Sequence, residues 1–117
     1  MEPGLHENGK LVEGESIADL GGLTIAYAAM EKSFDGKAPA KIDDFTAEQR
    51  YFIAFAQIWA GSNRPEFARL MVSTNPHPLG RYRTNGPVSN IPAFAKAFGC
   101  KADSPMVRAE TLRCRIW

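Results

Sequence analysis

The stretch GESIADLGG, residues 14–22, sets two carboxylates, Glu15 and Asp19, four residues apart. On a helix that spacing stacks them on one face, close enough to serve a single site. Like charges so placed repel by about 0.2–0.5 kcal/mol unless a cation sits between or beside them. Two readings are open at this point. One is a solvated acidic face near a helix start, where the macrodipole favours acids. The other is a metal-binding carboxylate accompanied by a second that orients a neighbouring ligand.

The chain has two histidines. His6 opens HENGK, but the fifth residue is Lys10, so the two-histidine helical zinc signature H-E-x-x-H is not formed there. His77 stands between Pro76 and Pro78. A ring on so stiff a loop loses little entropy when it is presented to a site, although a plain surface histidine fits the same spacing. Arg83, in RYRTNGP, is either a structural cation paired with a carboxylate or a forked donor for a carbonyl or carboxylate. Trp59 and Ile58, at the end of an apolar stretch, read as core residues, or as pocket walls if a site lies beside them. Cys100 and Cys114 are too few for a disulfide scaffold and lack C-x-x-C spacing.

Composition narrows the partners. Fourteen basic against 13 acidic side chains leave a net charge of +1, which gives no electrostatic footprint for nucleic acid or anionic membrane. No apolar run approaches the roughly 20 residues needed to cross a bilayer, and no signal-peptide pattern opens the chain. With 117 residues, 44% of them apolar, there is material for one modest core.

The elements that must position these residues are helical. A polar, Gly- and Pro-bearing lead-in of about a dozen residues reads as irregular. From Ser16 to about Lys32, apolar residues recur at Ile17, Leu20, Leu23, Tyr27 and Met30 with helical spacing. Gly21 and Gly22 interrupt that helix, which implies close approach to its backbone or a bend. Thr46 and Gln49 form a T-x-x-Q capping box, opening a buried central helix that runs to about Ala60. Pro65 suits the first turn of a shorter helix. Ser73 to Pro87, with three prolines and two glycines, is expected to form neither a regular helix nor a central strand. A last helix covers Pro92 to Phe98 and ends at Gly99. The expectation is one mainly α domain with irregular loops.

Four blocks, in order, resemble the neprilysin and endothelin-converting-enzyme family of zinc metallopeptidases. GESIADLGG is similar to the family's G-E-N-I-A-D-x-G-G, with Ser16 in place of Asn. FAQIWAGSNRPE is similar to F-A-Q-x-W-x-x-x-x-R-P-E. NPHPLGRYRTNGPVSN resembles D-x-H-S-P-x-x-(F/Y)-R-x-x-G-x-x-x-N, with Pro78 at the usual serine. The ending CRIW resembles C-R-(V/I)-W.

The resemblance implies a C-terminal segment, residues 1–117, of a zincin-type catalytic domain whose H-E-x-x-H part lies elsewhere. It implies Glu15 as the third zinc ligand and Asp19 as the carboxylate orienting a ligating histidine. It further implies His77 as the transition-state donor, Arg83 as a substrate-binding residue and Trp59 as a wall of the pocket beyond the scissile bond. Peptide substrates, the remainder of the catalytic domain as a partner, self-association through exposed apolar surface and an extracytoplasmic location follow from the same resemblance. So do cysteine partners outside this chain, and a segment inactive alone. Met1 is then expected to be an engineered start or the start of a truncated gene. The rival expectation is a non-catalytic helical domain, derived from such a peptidase, that binds a partner or peptide.

Overall fold

The computed structural model describes residues 5–116; Met1 and Trp117, the last residue of CRIW, lie outside the described residues. Five α-helices follow one another: α1 (Gly9–Ser33), α2 (Ala47–Ile58), α3 (Pro65–Thr74), α4 (Gly80–Val88) and α5 (Pro92–Ala97), with a short 3-10 turn at Glu110–Leu112. Among the described residues the only extended pairing is an isolated bridge between Ile42 and Phe45. The mainly α expectation is therefore met.

Helix α1 begins seven residues before the expected Ser16. Asn8 caps it: its side-chain oxygen and its carbonyl both accept from the Leu11 backbone, at 3.4 and 3.0 Å. That cap, with Val12 buried on the first turns, outweighs the helix cost of Gly9 and Gly14. Of the glycine pair, Gly21 is buried with Leu20 and Leu23, whereas Gly22 faces open space.

The capping box of α2 is realised in both directions, with Thr46 N–H donating to Gln49 Oε1 at 3.0 Å and Gln49 N–H to Thr46 Oγ1 at 3.2 Å. The helix is not buried all round, however. Ala47 and Phe52 are its buried residues, and Ile58 is 69% exposed, which overturns the reading of Ile58 as core.

Expecting no regular helix between Ser73 and Pro87 was wrong for its second half. Helix α4 starts from Leu79, whose carbonyl accepts from Tyr82 at 2.7 Å and Arg83 at 3.1 Å. Pro87 falls in its last turn, so its missing N–H removes a single late bond, and its buried ring packs with Val88.

The core gathers Leu20, Leu23, Phe52, Val88 and Ile91. Aromatic rings extend it: Tyr27 stacks on Phe52 with centroids 5.4 Å apart, and Phe52 meets the edge of Phe94 at the same separation. The Tyr51 hydroxyl donates to the Leu23 carbonyl at 2.7 Å, tying α2 to α1. Helix α1 packs on α4, and α2 packs on both α4 and α5. The α1–α4 contact is the one that builds the site. No helix among the described residues is long and apolar enough to cross a membrane, and Cys100 and Cys114 are free thiols.

Candidate active site

Glu15 and Asp19 stand one turn apart on α1, and the cation between them is Arg83 of α4. Arg83 Nε donates to Asp19 Oδ2 at 2.7 Å and Nη2 to Asp19 Oδ1 at 2.8 Å, a two-pronged pairing. Nη2 also reaches Glu15 Oε2 at 2.9 Å. The Arg83 and Asp19 side chains are only 11% and 10% exposed, so water screens this pair weakly. The hydrogen bond to Asp19 and the nearby acidic charge raise the Arg83 pKa above its ordinary value, against the opposing effect of burial. A planar fork of this kind is what arginine, and not lysine, can offer two carboxylates at once.

Trp59, at the C-terminal end of α2, covers the other side of the guanidinium. Arg83 Cζ lies 3.8 Å from the ring centroid, a close cation–π contact. The indole Nε1 is shielded from solvent and meets no acceptor among the described residues. Trp59 also lines an open cavity of about 450 Å³ together with Asn63, Ala68, Leu79 and Tyr82. Gly80 brings α4 against it: a Cβ at residue 80 would overlap the Trp59 carbonyl oxygen, so only glycine permits this approach.

His77 sits on the loop between α3 and α4, with its side chain half exposed and Nε2 3.5 Å from Glu15 Oε1. That loop is held at both ends. Asn75 Oδ1 accepts from the His77 backbone N–H at 2.9 Å, and Glu7 Oε1 accepts from the Leu79 N–H at 2.9 Å. Pro78 between them is buried. The structure thus draws Glu15, Asp19, Trp59, His77 and Arg83 to one place from three helices and one loop.

Asn75, Glu7 and Gly80 were not singled out from sequence. Asn two residues before His77 is a recognisable side-chain turn signal; the pairing of Glu7 with residue 79 leaves no local trace.

Metal fit can be judged from the donor set. Among the described residues no three His, Cys, Asp or Glu side chains converge as a metal cage. Asp19 gives both oxygens to Arg83 and Glu15 gives it one, leaving Glu15 Oε1 as the free carboxylate atom facing His77. A catalytic zinc needs three protein ligands. These residues do not build such a site by themselves, and Glu15 fits one corner of one.

Comparison with known proteins places the chain. Residues 1–114 match the family described as Peptidase family M13. The chain is 41% identical over 118 residues to neprilysin-1 of Caenorhabditis elegans, covering 97% of this chain and 15% of that protein. It is 43% identical over 115 residues to human membrane metallo-endopeptidase-like 1, covering 94% and 14%. A crystal structure of the Mycobacterium tuberculosis zinc metalloprotease Zmp1 with an inhibitor superposes with a TM-score of 0.94 at 38% identity, over 99% of this chain and 18% of that one. The chain therefore spans less than a fifth of the length of the relatives it matches. It belongs to peptidase family M13, the family of the neprilysin-type metallopeptidases.

Proposed function

We propose that this chain is the C-terminal part of an M13 catalytic domain and supplies one wall of a peptide-hydrolysing, zinc-dependent active site. The observation that carries the reading is the convergence of Glu15, Asp19, Trp59, His77 and Arg83 from separate elements. Glu15 would be one zinc ligand, through the oxygen that Arg83 leaves open. The remaining ligands would come from polypeptide outside these residues, so the chain alone is expected to be inactive.

Three of the residues act on the substrate peptide in this reading. His77, on its clamped loop, would hydrogen-bond the oxygen that becomes negative as the scissile carbonyl turns tetrahedral. Arg83 would bind a substrate carbonyl with the Nη1 group left over from its carboxylate contacts. Trp59 would wall the pocket for the residue beyond the scissile bond. Asp19, held rigidly by Arg83, would orient a histidine contributed by the rest of the domain.

An extracytoplasmic location belongs to the same proposal and is supported by relatives named as membrane metallo-endopeptidases. A segment swap tests the whole reading. A Zmp1 hybrid carrying this chain in place of its matching segment should hydrolyse peptides with zinc, and this chain alone should not. A folded hybrid that binds peptides without cleaving them would favour the rival, a non-catalytic binding domain.

A further inference from the structure

Asn75 is bonded to His77 twice. One amide oxygen, Oδ1, lies 2.9 Å from the His77 backbone nitrogen and 2.8 Å from ring Nδ1. The backbone N–H can only donate, so the Asn75 atom it meets must be the oxygen and not the NH2 group. The NH2 end is occupied separately, 3.4 Å from Met71 Sδ. An amide oxygen carries no proton, so the hydrogen in the second contact must sit on Nδ1 of the histidine.

A second distance agrees. Ring Nε2 lies 3.5 Å from Glu15 Oε1, beyond the range of a formed N–H···O hydrogen bond. No hydrogen bond from Nε2 to Glu15 is formed at that separation. Had the proton been on Nε2, a carboxylate so near would draw it into a bond of about 2.8 Å. The loop is stiff enough to preserve the arrangement, since Pro76 and Pro78 flank the ring and Glu7 clamps Leu79.

We propose that Asn75 is a positioning residue that locks neutral His77 in its Nδ1–H tautomer, leaving Nε2 without a proton and with its lone pair on the side of Glu15. This rests on the reading of His77 as an active-site ring and deepens it. In the neutral state His77 can accept a hydrogen bond, or meet a cation, at Nε2. It can donate from Nε2 to a substrate oxygen only after gaining a second proton there. A free histidine favours the opposite tautomer, so the preference must come from Asn75.

The test reads the ring and not turnover, so it is separate from the question of whether His77 serves catalysis. The whole chain is prepared with 15N-labelled histidine, and His6→Gln assigns the two rings. Proton–nitrogen correlation at a pH where the rings are neutral distinguishes a protonated from an unprotonated ring nitrogen. The expected wild-type spectrum has Nδ1 protonated and Nε2 unprotonated as the majority form for His77. Asn75→Ala should invert that majority, while Asn75→Asp, which keeps an acceptor at the same place, should retain it. A wild-type His77 with Nε2 protonated would overturn the proposal whether or not the variants fold, as would an unchanged tautomer in a folded Asn75→Ala chain.

Discussion

Arg83 of α4 bridges Glu15 and Asp19 of α1 through three hydrogen bonds of 2.7 to 2.9 Å while its guanidinium carbon lies 3.8 Å over the ring of Trp59. Two carboxylates of α1 that would repel each other are thereby joined to α4. The same contact fixes which Glu15 oxygen is free. Structural pairing and site architecture are one feature here.

Removing the bridge should therefore cost stability as well as function. Arg83→Ala leaves Asp19 nearly buried and unpaired, a loss on the order of 3–5 kcal/mol for a buried pair with one partner removed. Denaturant unfolding of the chain should show a clearly lower midpoint. Arg83→Lys keeps the charge but not the fork, and should recover only part of the loss. A midpoint for Arg83→Ala equal to wild type would mean that the bridge is not formed in solution.

Gly80→Ala should be destabilising although no side chain is lost. The new methyl group would meet the Trp59 carbonyl, so α4 must shift from α2, a strain of about 1–3 kcal/mol. Tryptophan fluorescence should change with it, because Trp59 stacks on Arg83 three residues along α4. Gly86→Ala has open space around it and should be neutral or mildly stabilising by comparison.

Much of this scaffold was legible from residue order, and the exceptions have physical reasons. Leu20 and Leu23 sit at helical spacing and are buried, and the Thr46–Gln49 box predicted the start of α2. Those signals are local. Helix α4 is masked in the sequence because its glycines and proline act by place and not by number: Pro87 costs little in a last turn, and Gly80 is required by the Trp59 contact. The acid pair was visible by spacing, but its partner lies 64 residues from Asp19, a distance no periodicity can bridge. Only the resemblance of whole motifs brought Arg83, His77 and Trp59 under consideration as one site.

Alkaline titration should reveal the tyrosines that folding buries, since burial raises Tyr51 as well as Tyr27. Burial, then the charge of Glu31 with its hydrogen bond, and then the charge of Glu48 push the Tyr27 phenol from 10.0 up to about 12. The protonated form is thus favoured by folding. Its contribution to stability is fully present below pH 10 and is lost as pH rises toward 12. Tyrosinate absorbance should show late-ionising groups, and Tyr27→Phe should remove one of them while Tyr51 remains. Ionisation of all three tyrosines near 10 in the folded chain would contradict this.

Exposed apolar surface near the site predicts self-association. Ile58 is 69% exposed, Phe67 50% and Leu70 56%, at the end of α2 and on α3 beside it in sequence. Sedimentation should show mass increasing with concentration, and Ile58→Lys with Leu70→Lys should abolish the increase. A wild-type chain that stays monomeric at high concentration would count against this surface as an interface.

Roles within the proposed active site separate by kinetics in the Zmp1 hybrid. His77→Ala should lower kcat by roughly a hundred- to a thousandfold, the usual loss for one oxyanion donor, with KM little changed. Arg83→Ala should raise KM in whatever fraction remains folded, because the proposed contact with a substrate carbonyl would exist before and during reaction. Equal effects of both substitutions on KM would merge roles that are kept apart here.

The most direct test of the central claim, that this chain walls a metallopeptidase site through Glu15, is the zinc content of the purified hybrid. The expected result is close to one zinc per molecule with Glu15 present, and a large loss of bound zinc in Glu15→Ala with the fold intact by circular dichroism. Full zinc retention and undiminished peptide hydrolysis in Glu15→Ala would contradict it.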